Sequence, residues 1–204
     1  MDYRDYQHVR DAAWRILLDC KADRLPINLN AICHKLNIRV FSYSKGGRMI
    51  EQAELRQVVR RTDGMTFYAG NTPVILFDEK KTPQRAKFTV AHEVGHIILG
   101  HVKPGSFTAA NREPQPGDAP EEQAANQFAA RLLAPACVLW GLGVHTPEEI
   151  IDLCKISRPA AEFRAQRMAE LYRRNRFLTS PLERKVYGQF EPFIRELRCP
   201  PRGG

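Results

Sequence analysis

The sequence predicts an α+β fold: a short mixed or antiparallel sheet packed on one apolar helix, followed by a helical C-terminal segment. Three observations predict it. Strand-like runs are confined to residues 38–77. A helix start signal, Thr82–Pro83, opens a long apolar helix directly after them. Apolar residues at helical spacing, with further start signals, fill most of the chain beyond residue 120.

The elements follow in order. Val9, Ala12, Ala13, Ile16 and Leu17 have helical spacing, so residues 7–20 are expected as a helix. A short helix around 28–36 and a strand around 38–43 come next. Thr66–Tyr68 and Val74–Phe77 read as the arms of a hairpin that turns at Ala69–Gly70–Asn71. The helix opened by Thr82–Pro83 is expected to end between Gly100 and Gly105. Residues 103–120, "KPGSFTAANREPQPGDAP", lack periodicity and read as a surface loop. A helix from Glu121 to Leu133 stops at Pro135. Thr146–Glu149 ("TPEE") and Ser180–Glu183 ("SPLE") are capping boxes with proline just inside the helix start. Between them lies the arginine-rich amphipathic stretch "SRPAAEFRAQRMAELYRRNR". One domain is expected over residues 1–140, a helical segment over 141–198 and a disordered tail over 199–204.

Bulk composition narrows the function. The chain has 204 residues, 43% apolar and 26% charged, enough to bury a core without disulfides. Its five cysteines form no C-x-x-C pair, against a zinc ribbon and against a disulfide framework. Reduced thiols and a charged N-terminus without an apolar signal segment predict a cytoplasmic protein. No apolar run approaches a membrane span, so no membrane partner is expected. The net charge of +8 is compatible with an acidic partner. It forms no stripe beside base-reading residues, so direct nucleic-acid binding is possible but not favoured.

The chemistry concentrates in "FTVAHEVGHIILGHV", Phe88–Val102. His92-Glu93-Val94-Gly95-His96 is an H-E-x-x-H motif. Residues four apart share one helix face, so the two imidazoles can hold one ion. Zinc accepts neutral imidazole nitrogens, and a catalytic site needs three protein ligands and an open position. Glu93 is placed to act as general base toward a zinc-activated water. His101 lies five residues after His96, about 140° off the ligand face of an unbroken helix. It is expected to cap the helix end or meet solvent.

The third ligand is expected on the next helix. From Glu122, residues Asn126, Ala129, Ala130 and Leu133 continue one stripe that begins with a carboxylate and becomes aliphatic. Such a stripe fits a helix whose first turn faces a metal and whose remainder faces the core. Asn126 is then placed behind a ligand histidine, within reach of its second nitrogen. Glu121 points about 100° away and reads as exposed. Gly95, which costs about 1 kcal/mol in a helix relative to alanine, signals a close backbone contact at the site.

At these residues the chain resembles the ImmA/IrrE family of metallopeptidases. "DGMTFYAGNTPVILFDEKKTPQRAKFTVAHEVGHIILGH" is similar to that family's strands and active helix, and "EEQAANQFAARLLAP" to its second motif. Ala134 stands where the family pattern usually has methionine. The resemblance covers about residues 5–170. It implies a zincin-like core, Zn2+ held by His92, His96 and Glu122, Glu93 as general base, and Asn126 behind the ligands. It also implies a cytoplasmic endopeptidase that cleaves a helix-turn-helix repressor controlling a mobile element or a stress response. The sequence leaves the oxyanion-stabilising group open among Tyr68, His101 and His145. It suggests the strand Val74–Phe77 as an edge for extended substrate and residues 103–120 as a gate. The alternative reading is a DNA- or repressor-binding regulatory module with a structural zinc site and no turnover. Its motivation is the pair of short helices over residues 146–175.

Overall fold

The computed structural model describes residues 3–52, 54–104, 107–110 and 119–198. They fall into two compact units. One comprises the residues up to Ala12 together with Leu29–Ala129, and the other Ala13–Asn28 together with the residues from Ala130 onward.

The chain opens with α1 (Tyr3–Asp19), α2 (Leu29–Lys35) and β1 (Arg39–Ser42). Two short helices, α3 (Gly47–Gln52) and α4 (Arg56–Val59), precede the hairpin of β2 (Gly64–Ala69) and β3 (Thr72–Phe77). Then come α5 (Pro83–Ile98), β4 (Phe107–Ala110) and α6 (Pro120–Leu133). Helices α7 (Ala136–Gly141), α8 (Pro147–Cys154), α9 (Arg158–Arg173) and α10 (Pro181–Arg198) complete the described chain. The fold is mixed α+β with a helical C-terminal segment, as the sequence predicts.

The sheet of the first unit has strand order β1-β3-β2-β4. β1 runs parallel to β3, while β2 is antiparallel to both β3 and β4. This corrects two expectations. The sheet extends beyond residue 77, because residues 107–110 of the expected surface loop pair with β2, Thr66 opposite Thr108. Residues 105, 106 and 111–118 of that stretch lie outside the described residues, as does the tail 199–204. Second, Val74–Phe77 is not an edge: β3 is bonded on both sides, by β1 and by β2. The segment joining β1 to the hairpin carries the chain past one strand position, so the later arm of the hairpin closes on β1.

Alternation along β2 divides its side chains between two faces. Met65 joins Val74, Leu76, Ile50 and Leu55 in a core, with Phe41, Phe67, Val58 and Val59 against it. The helices α3 and α4 thus cover that face. Gly64 and Thr66 face α5 instead. A Cβ on Gly64 would stand 2.3 Å from Thr89 Cγ2 and 3.2 Å from the Leu76 carbonyl oxygen. The missing side chain lets α5 lie down on the sheet. Thr82 caps α5 by accepting the Arg85 N–H, with Pro83 just inside. Asp63, at the start of β2, binds Arg85 at 2.9 Å and Lys81 at 3.1 Å, tying the helix start to the strand.

In the second unit, Leu132, Leu133, Leu139, Ile150, Met168 and Phe190 are fully buried. The Gln189 amide donates to the carbonyls of Leu17 and Ala22. Thr146 and Glu149 form the complete capping box. At the second box Ser180 accepts the Glu183 N–H, and the Glu183 carboxylate accepts the Thr179 N–H.

Candidate metal centre

α5 enters the core so deeply that its polar motif is enclosed. His92, Glu93 and His96 are 4%, 0% and 1% exposed. Burying two imidazoles and a carboxylate is costly unless each is bonded. The partners come from α6 and β2.

His92 Nε2 and His96 Nε2 are 2.9 Å apart. Glu122, in the first turn of α6, puts Oε2 at 3.3 Å from His92 Nε2 and Oε1 at 3.2 Å from His96 Nε2. Donor atoms of these three residues all lie within 4.8 Å of one another. The fit to zinc can be tested on these separations. Tetrahedral bonds of about 2.0–2.1 Å put donors about 3.3–3.4 Å apart, a spacing the two imidazole–carboxylate pairs nearly match and the imidazole pair approaches. Two neutral nitrogens and one carboxylate also suit the ion's donor preference. The residues fit, and they are the three expected from the sequence. Glu121 is exposed, as its angular position predicts.

The electrostatics follow from the same contacts. Hydrogen bonds from His92 and His96 hold the Glu122 carboxyl well below the usual carboxylate range. Burial alone would lower the pKa of His92, but the carboxylates of Glu122 and Glu93 outweigh it and raise it.

The second nitrogens of both imidazoles are also within hydrogen-bond distance of a side chain. Asn126 Oδ1 lies 2.8 Å from His92 Nδ1. A carboxamide oxygen can only accept, so a neutral His92 ring with its hydrogen on Nδ1 would satisfy Asn126 and leave Nε2 for a metal. His101 Nδ1 lies 3.0 Å from His96 Nδ1. His101 closes the helix end through its backbone N–H, as expected, and its ring in addition meets His96, which was not expected. α5 ends at Ile98, and Gly100 turns left-handed at φ +74°. The Gly100 N–H bonds the Ile97 carbonyl, and the His101 N–H bonds that of His96. This is a Schellman closure, which brings the second residue past the cap back over the last turn. The angular count for an unbroken helix fails at the glycine. Burial and the neighbouring His96 push the His101 imidazole below its usual pKa.

Glu93 accepts a 2.7 Å hydrogen bond from Thr66 Oγ1 into its Oε2. Thr66 is fully buried. Sequence reasoning missed it, although a polar residue two positions after Gly64 on the helix-facing side of β2 was the available signal. Gly95 is the close contact expected: a Cβ there would stand 3.1 Å from Phe128 Cδ1, 3.2 Å from Ala125 Cα and 3.3 Å from the Ala125 carbonyl oxygen. It sets α5 directly against α6, the helix that carries Glu122. Of the oxyanion candidates, Tyr68 is half-buried on β2, His101 bonds His96, and the His145 ring stacks on Tyr172 with centroids 4.4 Å apart.

An H-E-x-x-H helix laid on a short mixed sheet, with a carboxylate donor from the next helix, defines a metallopeptidase-type centre. The sequence model of the family described as Peptidase_M78, IrrE N-terminal-like domain, matches residues 33–173. That is more than half of the chain, and the protein belongs to this family. Comparison with curated proteins gives no match. No helix among the described residues is long and apolar enough to cross a membrane.

Proposed function

We propose that the protein is a zinc-dependent endopeptidase of the cytoplasm that cuts a helix-turn-helix transcriptional repressor at one site, releasing genes of a mobile element or a stress response. The observation that carries the catalytic part is the buried Glu93 beside the convergent donors of His92, His96 and Glu122. Zinc in that donor set supplies a Lewis acid that acidifies a water and polarises the scissile carbonyl. Glu93 takes the proton of the attacking water on its carboxylate and hands it to the leaving amine nitrogen. Thr66 fixes the carboxylate through Oε2 while it does so. Asn126 keeps the His92 proton on Nδ1.

The sheet order supports a route for the substrate. β4 lies at the edge beyond β2, the strand that carries Thr66. An extended peptide adding to that edge would pair with β4, one strand removed from β2 and Thr66. The repressor as substrate rests on the resemblance.

The DNA-binding alternative has one observation in its favour. Lys155 takes the left-handed conformation at φ +53° between α8 and α9, so the short turn forms without glycine. The charges weigh against it. Arg158 pairs with Glu148, Arg167 and Arg174 pair with Glu170, and Arg164 is buried.

The test is Glu93→Gln, assayed on a candidate repressor with zinc content measured in parallel. Loss of cleavage by about 10²-fold or more at unchanged zinc is expected for a general base. Full cleavage at intact zinc removes Glu93 from the mechanism. A steep fall of DNA affinity with salt would instead support the binding module.

A further inference from the structure

Each of the two motif histidines meets a polar side chain at its second nitrogen, but only that of His92 was visible in the sequence. The partner behind His96 is His101, 3.0 Å away between the two Nδ1 atoms. One of two facing nitrogens must carry the hydrogen and the other the lone pair. His96 turns Nε2 toward His92 and Glu122, so Nε2 is its only nitrogen that can reach a shared ion. Its hydrogen then sits on Nδ1, and the His101 Nδ1 must accept it. His101 carries its own hydrogen on Nε2. Its ring lines a cleft of about 280 Å³ shared with His8, Val9, Leu99, Glu121 and Ala124, where that N–H can meet water or the Glu121 side chain.

We infer that His101 is a positioning residue of the metal site, which fixes the tautomer and ring orientation of His96 by accepting its Nδ1–H. The inference rests on the reading that His92, His96 and Glu122 hold zinc. The backbone is built for it. The Gly100 turn and the His101 N–H to His96 carbonyl bond set the two imidazoles edge to face, with centroids 5.1 Å apart. The position commonly used for a hydrophobic clasp at a helix end is used here for a hydrogen bond.

The experiment compares His101→Phe, which keeps a ring but has no acceptor, with His101→Asn, whose Oδ1 can stand near the lost Nδ1. Zinc affinity is measured by competition with a chromophoric chelator, and the melting temperature of the metal-free proteins alongside. His101→Phe should weaken zinc binding by about 10- to 100-fold, and His101→Asn should restore most of it. Equal affinity in all three proteins, or equal loss in both variants, overturns the inference. Failure of the wild type to bind one zinc overturns the reading beneath it, and the inference with it. Should His101→Phe fail to fold, imidazole ¹⁵N spectra of the zinc-loaded wild type decide. A hydrogen on His96 Nδ1 and on His101 Nε2 is expected; a hydrogen on His101 Nδ1 refutes the role.

Discussion

Thr66 on β2 donates its hydroxyl hydrogen to Oε2 of Glu93 on α5, at 2.7 Å, with both residues fully buried. The bond joins sheet to helix at the group proposed to move the proton. A hydrogen bond to a charged group is worth about 1.5–3 kcal/mol, which is about ten- to a hundredfold in rate if lost at the transition state. Thr66→Val should therefore lower kcat/KM by about that factor. Zinc content should stay at the wild-type value. An unchanged rate would mean that Thr66 only packs.

The two adjacent glutamates of α6 should behave oppositely. Glu122→Ala removes one of three donors and should strip zinc at chelator concentrations that leave the wild type loaded. Glu121→Ala should leave zinc bound, because that side chain is exposed and is not among the converging donors. The measurement is metal per chain after dialysis. Zinc loss on the Glu121 change alone would reverse the assignment.

Gly95 separates folding from metal binding. Alanine there gains about 1 kcal/mol of helix propensity. Its Cβ meets the Ala125 backbone at 3.2 and 3.3 Å. That backbone can yield only if α6 shifts, and α6 carries Glu122. Gly95→Ala should leave the melting temperature nearly unchanged while weakening zinc binding. Gly95→Val should also cost about 1–3 kcal/mol of stability from overpacking. Wild-type zinc affinity in both variants would show that α6 tolerates the shift.

Acid should loosen the clip at the start of α5. Burial pushes the Asp63 carboxyl up, but hydrogen bonds from Lys81 and Arg85 more than offset it and hold the pKa below 3.8. A depressed folded pKa stabilises above the unfolded value, and that contribution is lost as the pH falls through the folded one. Asp63→Asn should thus lower the melting temperature at neutral pH and flatten its decline below about pH 4. With screening, the effect is about 1 kcal/mol or less, roughly 2–4 °C. Parallel melting curves for the two proteins at every pH would contradict it.

Burial pushes the Cys137 thiol up to about 12. The thiolate is the reactive form, so Cys137 should resist alkylation in the native protein at pH 8 and react only on denaturation. Cys20, which is partly exposed, should be modified before it. Peptide mapping after timed alkylation reads the order.

What was legible in the sequence depended on how locally each feature is encoded. His92 and His96 needed one helix, and Glu122 needed a second with a readable stripe, so the three residues that converge in the structure were the ones expected. β4 was not, because "FTAA" lacks a polar–apolar alternation and sits among glycines and prolines. The helices α3 and α4 are too short to show a period. The inner position of β3 is a property of strand order, set by pairing between residues such as Arg39 and Val74, 35 positions apart. His101 was misjudged because one left-handed glycine resets the helical count.

The strand β4 also dictates a schedule. His92 and His96 are in place once α5 forms, an event of about a microsecond for a short helix. Glu122 follows 26 residues after His96, and between them the chain has to return to the sheet and pair with β2. Closing that excursion is a non-local step, which folds late. Along the chain, two of the three candidate donors lie on α5 and the third lies beyond the strand that completes the sheet.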